Sequence, residues 1–278
     1  MASLPPEGRP LCFEALAGKR VALWGWGREG RAAYDALRSR LPQQALNLFC
    51  SAAEAADAMA CGDPLLAIEH VASGERLATF EVVVKSPGIS PNKPEALFAA
   101  ANGTRFIGGT ALWFGERAHD GTMARTLCVT GTKGKSTTSA LLAHLLRAAG
   151  LRTALAGNIG LPLLELLDAG AQAWVVELSS YQTAEAVKPE VAVMLNFYPE
   201  HLDWHVTEQT YFDDKSALIR HGQPLHAVLN RDAPRVAALA DGLQSDVCWF
   251  NDESSWHARG NMLHRGETPV LDLRELPM

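Results

Sequence analysis

Residues 129–150 read VTGTKGKSTTSALLAHLLRAAG. An apolar run, TLCVT (126–130), leads into a glycine-rich turn. Leu141, Leu142, Leu145, Leu146 and Ala149 then recur at helical spacing, and Gly150 suits a C-cap. Strand, glycine turn and helix in that order make the corner of a parallel α/β sheet. Such a turn, with the helix N-terminus behind it, points backbone N–H groups outward and favours an anion. Counted back from Gly134-Lys135-Ser136, the spacing G-x-x-x-x-G-K-[ST] wants glycine at position 129, where the chain has valine; the nearest glycine is Gly131. The flanking strand and amphipathic helix favour a variant phosphate loop over an ordinary strand–helix corner. Its candidate nucleotide-binding residues are Gly131, Thr132, Lys133, Gly134, Lys135, Ser136 and Thr137. Lys135 can reach bridging and terminal phosphates as a point charge, and Ser136 or Thr137 can offer a hydroxyl to magnesium, which prefers hard oxygen ligands.

Outward from this corner the same rhythm continues. Strands are predicted at 20–24, 45–50 and 81–86, then at 126–130, 152–156, 173–178, 191–196, 226–230 and 246–251, with helical stretches between most of them. FIGGTALWFGE (106–116) closes the first group, and the polar segment ERAHDGTMAR (116–125) reads as a linker. The expectation is an α/β chain of two parallel-sheet domains, residues 1–117 and 118–278. NMLHRGETPVLDLREL (261–276) looks instead like a hairpin turning at Arg265-Gly266-Glu267.

With 278 residues the chain suits two domains, and 47% apolar against 20% charged residues is the balance of a globular protein. A formal charge of -6 argues against general nucleic-acid binding, which needs a positive field. The N-terminus lacks the apolar core of a secretory signal, and no run approaches the ~20 apolar residues of a membrane helix. Five scattered cysteines without a C-x-x-C pair point to reduced thiols, hence to the cytoplasm.

Several strand ends carry chemistry. Glu177 closes AWVVEL beside the phosphate loop, where a carboxylate can hold a metal at the carboxyl edge of the sheet. NFYPEHLDWH (196–205) follows another strand and offers Glu200, His201 and Asp203 to metal or substrate. Lys215, between Asp214 and Ser216, reads on its own as a surface lysine, and Asn158 as a turn residue whose amide could meet a ligand. In the first domain Gly25-Trp26-Gly27-Arg28-Glu29-Gly30 matches G-x-G-x-x-G after a strand. The acid that a nicotinamide site wants at the end of the second strand is missing from Leu48-Phe49-Cys50-Ser51. That counts against a dinucleotide-dependent oxidoreductase; on these residues alone a non-catalytic nucleotide-binding module stays an alternative.

In this order the G-x-G-x-x-G turn, SPGIS (86–90), GTKGKST (131–137), GNIG (157–160), VVELSSYQ (175–182), NxxPEHLDxH (196–205) and Lys215 resemble the Mur ligases, over nearly the whole chain. They are most similar to the branch that joins glutamate to UDP-N-acetylmuramoyl-L-alanine. The resemblance implies a Rossmann-like first domain holding the UDP-muropeptide and a central domain binding ATP and magnesium. Gly25, Trp26, Gly27, Arg28, Glu29 and Gly30 would lie near the diphosphate, Ser86, Pro87 and Gly88 near the nucleotide, and Asn158 and His201 near the muropeptide. Lys135, Glu177, His201 and Lys215 would be the catalytic set. Ser136 and Glu177 would hold one magnesium, and His201 and a carbamoylated Lys215 a second. A carbamate supplies anionic oxygens where a protonated lysine would repel the metal, and a nearby cation favours the neutral lysine that forms it. The implied reaction is a two-step amide synthesis through an acyl phosphate, in cytoplasmic peptidoglycan precursor synthesis, by a monomer.

Trp24, Trp26, Arg28, Phe197-Tyr198 and Trp204 depart from the residues usual in the family. They point to a divergent branch, one of which joins L-glutamate rather than D-glutamate; the choice of acceptor stays open. Trp24 and Trp26 also read as buried aromatic packing at a domain interface. Met278 falls before the third, C-terminal domain of the family, so the expectation is a fragment that binds the UDP substrate and does not ligate alone.

Overall fold

The computed structural model of the chain describes residues 10–122, 125–200 and 202–276. The first sheet is parallel and five-stranded: β1 (Val21–Trp24), β2 (Leu46–Phe49), β3 (Leu66–Glu69), β4 (Val82–Lys85) and β5 (Arg105–Ile107), in the order β3-β2-β1-β4-β5. Between and after its strands run α1 (Arg28–Arg40), α2 (Ala52–Met59), α3 (Gly74–Leu77), α4 (Pro94–Ala101) and α5 (Gly109–His119). The central strands are apolar runs because helices cover both faces: every residue of β4 is buried. The chain reverses its direction of travel across the sheet between β1 and β4. The G-x-G-x-x-G turn and the SPGIS loop therefore emerge side by side, at the crevice where open α/β sheets bind ligands. β3 was not anticipated. Its sequence, LAIE, is short and only partly buried, as befits an edge strand, so its apolar pattern is faint.

The second sheet has nine strands: β6 (Thr126–Thr130), β7 (Thr153–Gly157), β8 (Ala173–Glu177), β9 (Val191–Met194), β10 (His226–Asn230), β11 (Asp246–Phe250), β12 (Trp256–Arg259), β13 (Met262–Arg265) and β14 (Thr268–Asp272). Their order is β14-β13-β12-β11-β10-β9-β6-β8-β7. Pairing is parallel from β7 across to β12 and antiparallel in the last two pairs. The turn at Arg265-Gly266-Glu267 joins β13 to β14 as the sequence suggests, while β12 adds a further antiparallel pair that the sequence reading lacked. Among the described residues, α6 (Lys135–Ala148), α7 (Leu202–His205), α8 (Glu208–Arg220) and α9 (Pro234–Ala237) accompany this sheet.

Two expectations need correction. The leucines of α6 do not form one buried face. Leu141 and Leu145 are 57% and 55% exposed, and the side against the sheet is Ser139 and Ala143 with the half-buried Leu142 and Leu146. Two i,i+4 stripes set about one residue apart differ by ~100° around a helix, and only one of them can face the strands. The polar segment 116–125 is not all linker, since α5 continues to His119 and leaves a shorter connection.

The two sheets share packing through α5. Trp113 meets Trp174 edge-to-face at 5.0 Å, and the Arg117 guanidinium lies over both rings. Leu112, Leu163 and Leu164 join the same buried cluster. Among the described residues no helix is long and apolar enough to cross a membrane.

Candidate functional site

Strand order alone gathers most of the predicted residues. β6 lies between β9 and β8, and β7 flanks β8, so the loops after these four strands meet at one edge. Val129 pairs with Glu177 on one side and with Val193 on the other. Val129 is therefore an interior residue of the central strand, fully buried, and the phosphate loop begins two residues later. That is why the position that the standard spacing reserves for glycine holds a β-branched residue here.

The loop turns into α6 at Gly134, whose φ of 83° is left-handed and suits glycine. The first N–H groups of α6 have no partner within the helix, and the positive end of its dipole lies with them. The loop is held from β9 by Asn196, a residue to which the sequence reading gave no role. Its Oδ1 accepts from Thr132 N (3.0 Å) and Lys133 N (2.9 Å), and its Nδ2 donates to Lys133 O (3.0 Å). The Thr132 hydroxyl is also committed, donating to Tyr198 O at 3.0 Å and lying 3.1 Å from the Tyr211 hydroxyl. Lys133 pairs with Glu200 at 2.6 Å, and Lys135 Nζ rests on Thr132 O at 3.1 Å. Of the seven loop residues, Gly134–Thr137 stand at the helix start, while the backbone amides of Thr132 and Lys133 are engaged by Asn196. Asn196 was accessible to the rule that found Glu177: a polar residue just past the end of a strand beside β6.

Glu177 is completely buried at the end of β8. Asn158 Nδ2 donates to its Oε1 at 2.8 Å, while its Oε2 is buried without a hydrogen-bond partner. An orphaned carboxylate oxygen beside a phosphate loop is costly in an empty interior and natural as a cation ligand. Among the described residues no three His, Cys, Asp or Glu side chains gather as a metal cage. Magnesium is commonly bound through one or two carboxylates, with substrate phosphates and waters completing the shell.

Lys215 is not a surface lysine. It is 2% exposed, and its Nζ donates to Gly131 O at 3.1 Å from α8. Burial pulls its pKa down to about 7; the neighbouring Lys135 adds to this and Glu200 opposes it. The expectations for His201, and for the side chain of Asp203, lie outside the described residues.

In the first sheet, the glycine turn is tight. A Cβ on Gly30 would stand 2.1 Å from Gly25 O, and one on Gly25 would stand 2.7 Å from the Ser86 hydroxyl, which is buried and unpartnered. The turn and Ser86 thus lie in contact. Pro87 and Gly88 follow Ser86 in the loop after β4, and a Cβ on Gly88 or Gly27 would meet nothing within 4 Å. Trp26 corrects its expectation. Its indole is buried, packs on Tyr34 at 5.2 Å and donates to Asp57 Oδ2 at 2.7 Å, so only its backbone remains for a ligand. It packs within the first unit rather than at the junction between sheets, and Trp24 likewise rests on Phe106.

The loops at the carboxyl edges of the two sheets face one another. Arg28 donates to Gly160 O of the GNIG turn, and Ser90 Oγ donates to Trp204 O at 3.2 Å. Lys85 Nζ lies 5.8 Å from the Trp204 ring centre. Glu185 accepts from Ala111 N at the start of α5 (3.2 Å). Burial raises the carboxyl pKa of Glu29 to about 7, with Arg28 opposing and Glu185 and Glu165 adding to the rise.

A mostly parallel sheet with a glycine-lysine-serine loop on an interior strand and a buried acid on its neighbour defines the phosphate-loop class of α/β proteins. The particular family follows from comparison: residues 129–268 match the Mur ligase middle domain, and the chain belongs to the Mur ligase family. It is 56% identical over 270 residues to a protein of Xanthomonas campestris pv. campestris (strain 8004) named UDP-N-acetylmuramoyl-L-alanine--L-glutamate ligase, covering 95% of this chain and 58% of that one. A protein of the same name from Xylella fastidiosa (strain Temecula1 / ATCC 700964) is also 56% identical, over 273 residues, with 96% and 58% covered. The chain thus spans somewhat over half the length of these relatives. Among solved structures, the fold is similar to a UDP-N-acetylmuramate:L-alanyl-gamma-D-glutamyl-meso-diaminopimelate ligase from Neisseria meningitides. The TM-score there is 0.57 at 20% identity, over 91% of this chain and 86% of that one.

Proposed function

We propose that this chain forms the UDP-muropeptide- and ATP-binding part of a cytoplasmic, ATP-dependent ligase that joins L-glutamate to UDP-N-acetylmuramoyl-L-alanine. The observation that carries the reading is Glu177: a buried carboxylate with one orphaned oxygen, on the strand next to the one that feeds Lys135 and Ser136 into a helix N-terminus. The acceptor stereochemistry rests on the names of the two relatives, each of which specifies L-glutamate.

In this reading residues 1–117 form the UDP-binding unit and 118–278 the ATP-binding unit. The G-x-G-x-x-G turn and Ser86–Gly88 take the UDP moiety, with Asn158 and His201 toward the muropeptide. The start of α6 takes the nucleotide phosphates. Ser136 and Glu177 hold magnesium, and His201 with Lys215 serves a second site. Bound magnesium supplies charge neutralisation on the transferring phosphoryl group. Lys135 orients and neutralises the terminal phosphate as the alanyl carboxylate attacks it, giving an acyl phosphate. The glutamate amine then displaces phosphate. Lys215, with its pKa near 7, has the neutral fraction that carbamoylation requires.

Calorimetry of this chain with ATP and magnesium, and separately with UDP-N-acetylmuramoyl-L-alanine, tests the assignment; a folded chain that binds neither overturns it. Mass measurement of product from the protein extended to its relatives' length, offered L- and D-glutamate separately, tests the acceptor. Product from D-glutamate alone overturns that part.

A further inference from the structure

His205, the last residue of α7, is fully buried and uses both ring nitrogens. Nδ1 lies 2.7 Å from Asp214 Oδ2, and Nε2 lies 2.9 Å from Ser180 Oγ. Tyr181 stacks on the imidazole at 5.6 Å, with Tyr211 edge-on at 5.0 Å and Trp204 at 4.5 Å. A serine, a histidine and an aspartate in series invite comparison with a nucleophilic triad. The burial rules that out: Ser180 and His205 are sealed in the interior, so no acyl group can reach the serine hydroxyl.

What the series joins is more informative. Ser180 lies three residues beyond Glu177, in the loop that leaves β8. Asp214 directly precedes Lys215 on α8, and Thr183 Oγ1 also reaches Asp214 O at 2.6 Å. Lys215 Nζ in turn rests on Gly131 O of the phosphate loop. A hydrogen-bonded brace therefore runs from the strand-end acid's loop through His205 to the helix that carries the buried lysine.

We infer that His205 is a positioning residue of the nucleotide–cation site. It touches no ligand itself and sets the distance between the Glu177 loop and α8. The inference rests on the proposed nucleotide reading of that site. A brace of this kind matters most for the metal, whose oxygen ligands must meet near-ideal geometry, and less for phosphates held by the amides of α6.

The test measures ATP affinity of the chain with magnesium and with chelator, for wild type, His205→Ala, His205→Asn and Ser180→Ala. His205→Ala is expected to weaken binding in magnesium about tenfold, the scale of one charge-assisted hydrogen bond. Binding in chelator should stay within about twofold of wild type, since it rests on the amides at the start of α6 rather than on the spacing that the brace sets. His205→Asn, which keeps a donor toward Asp214, should recover part of the loss. Equal losses with and without magnesium, or none in either, overturn the brace. Wild-type chain that binds no nucleotide overturns the nucleotide reading itself, and the brace with it. If His205→Ala does not fold, as judged by circular dichroism, Ser180→Ala carries the same comparison by deleting one hydroxyl.

Discussion

Val129 on β6 sits directly beside Glu177 on β8, as register partners in adjacent parallel strands. This pairing fixes the height of the whole site. The central strand stays closed and apolar up to the level of the acid, and the phosphate loop opens just above it. Replacing Glu177 by glutamine keeps an acceptor for Asn158 while removing the negative charge. Unfolding free energy should move by no more than about 1 kcal/mol, because relief of charge burial offsets a newly buried amide group. ATP affinity in magnesium should fall by over about tenfold. Denaturant titration and calorimetry on the same preparation check both halves, and unaltered magnesium-dependent affinity would show that Glu177 is not a cation ligand.

The buried Lys215 makes stability depend on pH. Its folded pKa of about 7 lies below the ordinary lysine value of 10.5. Below pH 7 both folded and unfolded chains carry the proton, and the folded chain bears the full cost of a buried charge. Between pH 7 and about 10.4 the unfolded chain holds more protons, so stability rises with pH through that window. Lys215→Met abolishes this contribution. The stability of wild type relative to the variant should rise from pH 7 to 9.5 by about 2 kcal/mol, less than the full shift allows because side-chain relaxation and water entry soften the burial. Parallel stability–pH curves would refute it.

The glycine turn offers a paired control. Gly30→Ala drives a Cβ against Gly25 O, a backbone atom that cannot step aside, whereas Gly27 has open space and an ordinary negative φ. Gly30→Ala should cost about 3 kcal/mol and Gly27→Ala no more than about 1 kcal/mol. Thermal or denaturant unfolding of the two variants decides it; equal effects would mean that the turn opens easily.

How far the sequence carried this picture depended on how local each signal was. β6 and β10 have the predicted bounds, because a run of apolar residues between two turns is a local signal. Glu177 and the phosphate loop were reachable because strand ends and glycine turns announce themselves. Lys215 was misread from its neighbours: Asp214 and Ser216 look like solvent-facing company, and only the packing of α8 beneath the phosphate loop buries it. Trp26 shows the opposite case: its motif sets its backbone beside a candidate ligand site, while its side chain is held in the core by Asp57, thirty-one residues away. The series Ser180–His205–Asp214 has no spacing signature, since its members come from three separate elements. The exposed Leu141 and Leu145 show that a periodic stripe gives the presence of a helix more securely than the side it buries.

Asn196 provides the sharpest separation of loop order from loop charge. Its amide makes three hydrogen bonds to the backbone of Thr132 and Lys133. Asn196→Ala deletes all three and leaves the segment free to sample other conformations, so binding must supply the ordering that the free protein no longer does. ATP affinity should fall about tenfold, with a loss of stability of about 1–2 kcal/mol. Asn196→Asp keeps both acceptor contacts and most of the order, but it sets a negative charge where an anion is to bind. At low ionic strength that variant should bind ATP more weakly than Asn196→Ala, and added salt should narrow the gap, because screening weakens the repulsion while leaving the missing hydrogen bonds of the alanine variant unrestored. Calorimetric titrations of both variants across a salt series measure the difference. A gap that does not respond to salt would place the effect of Asn196 in loop geometry alone.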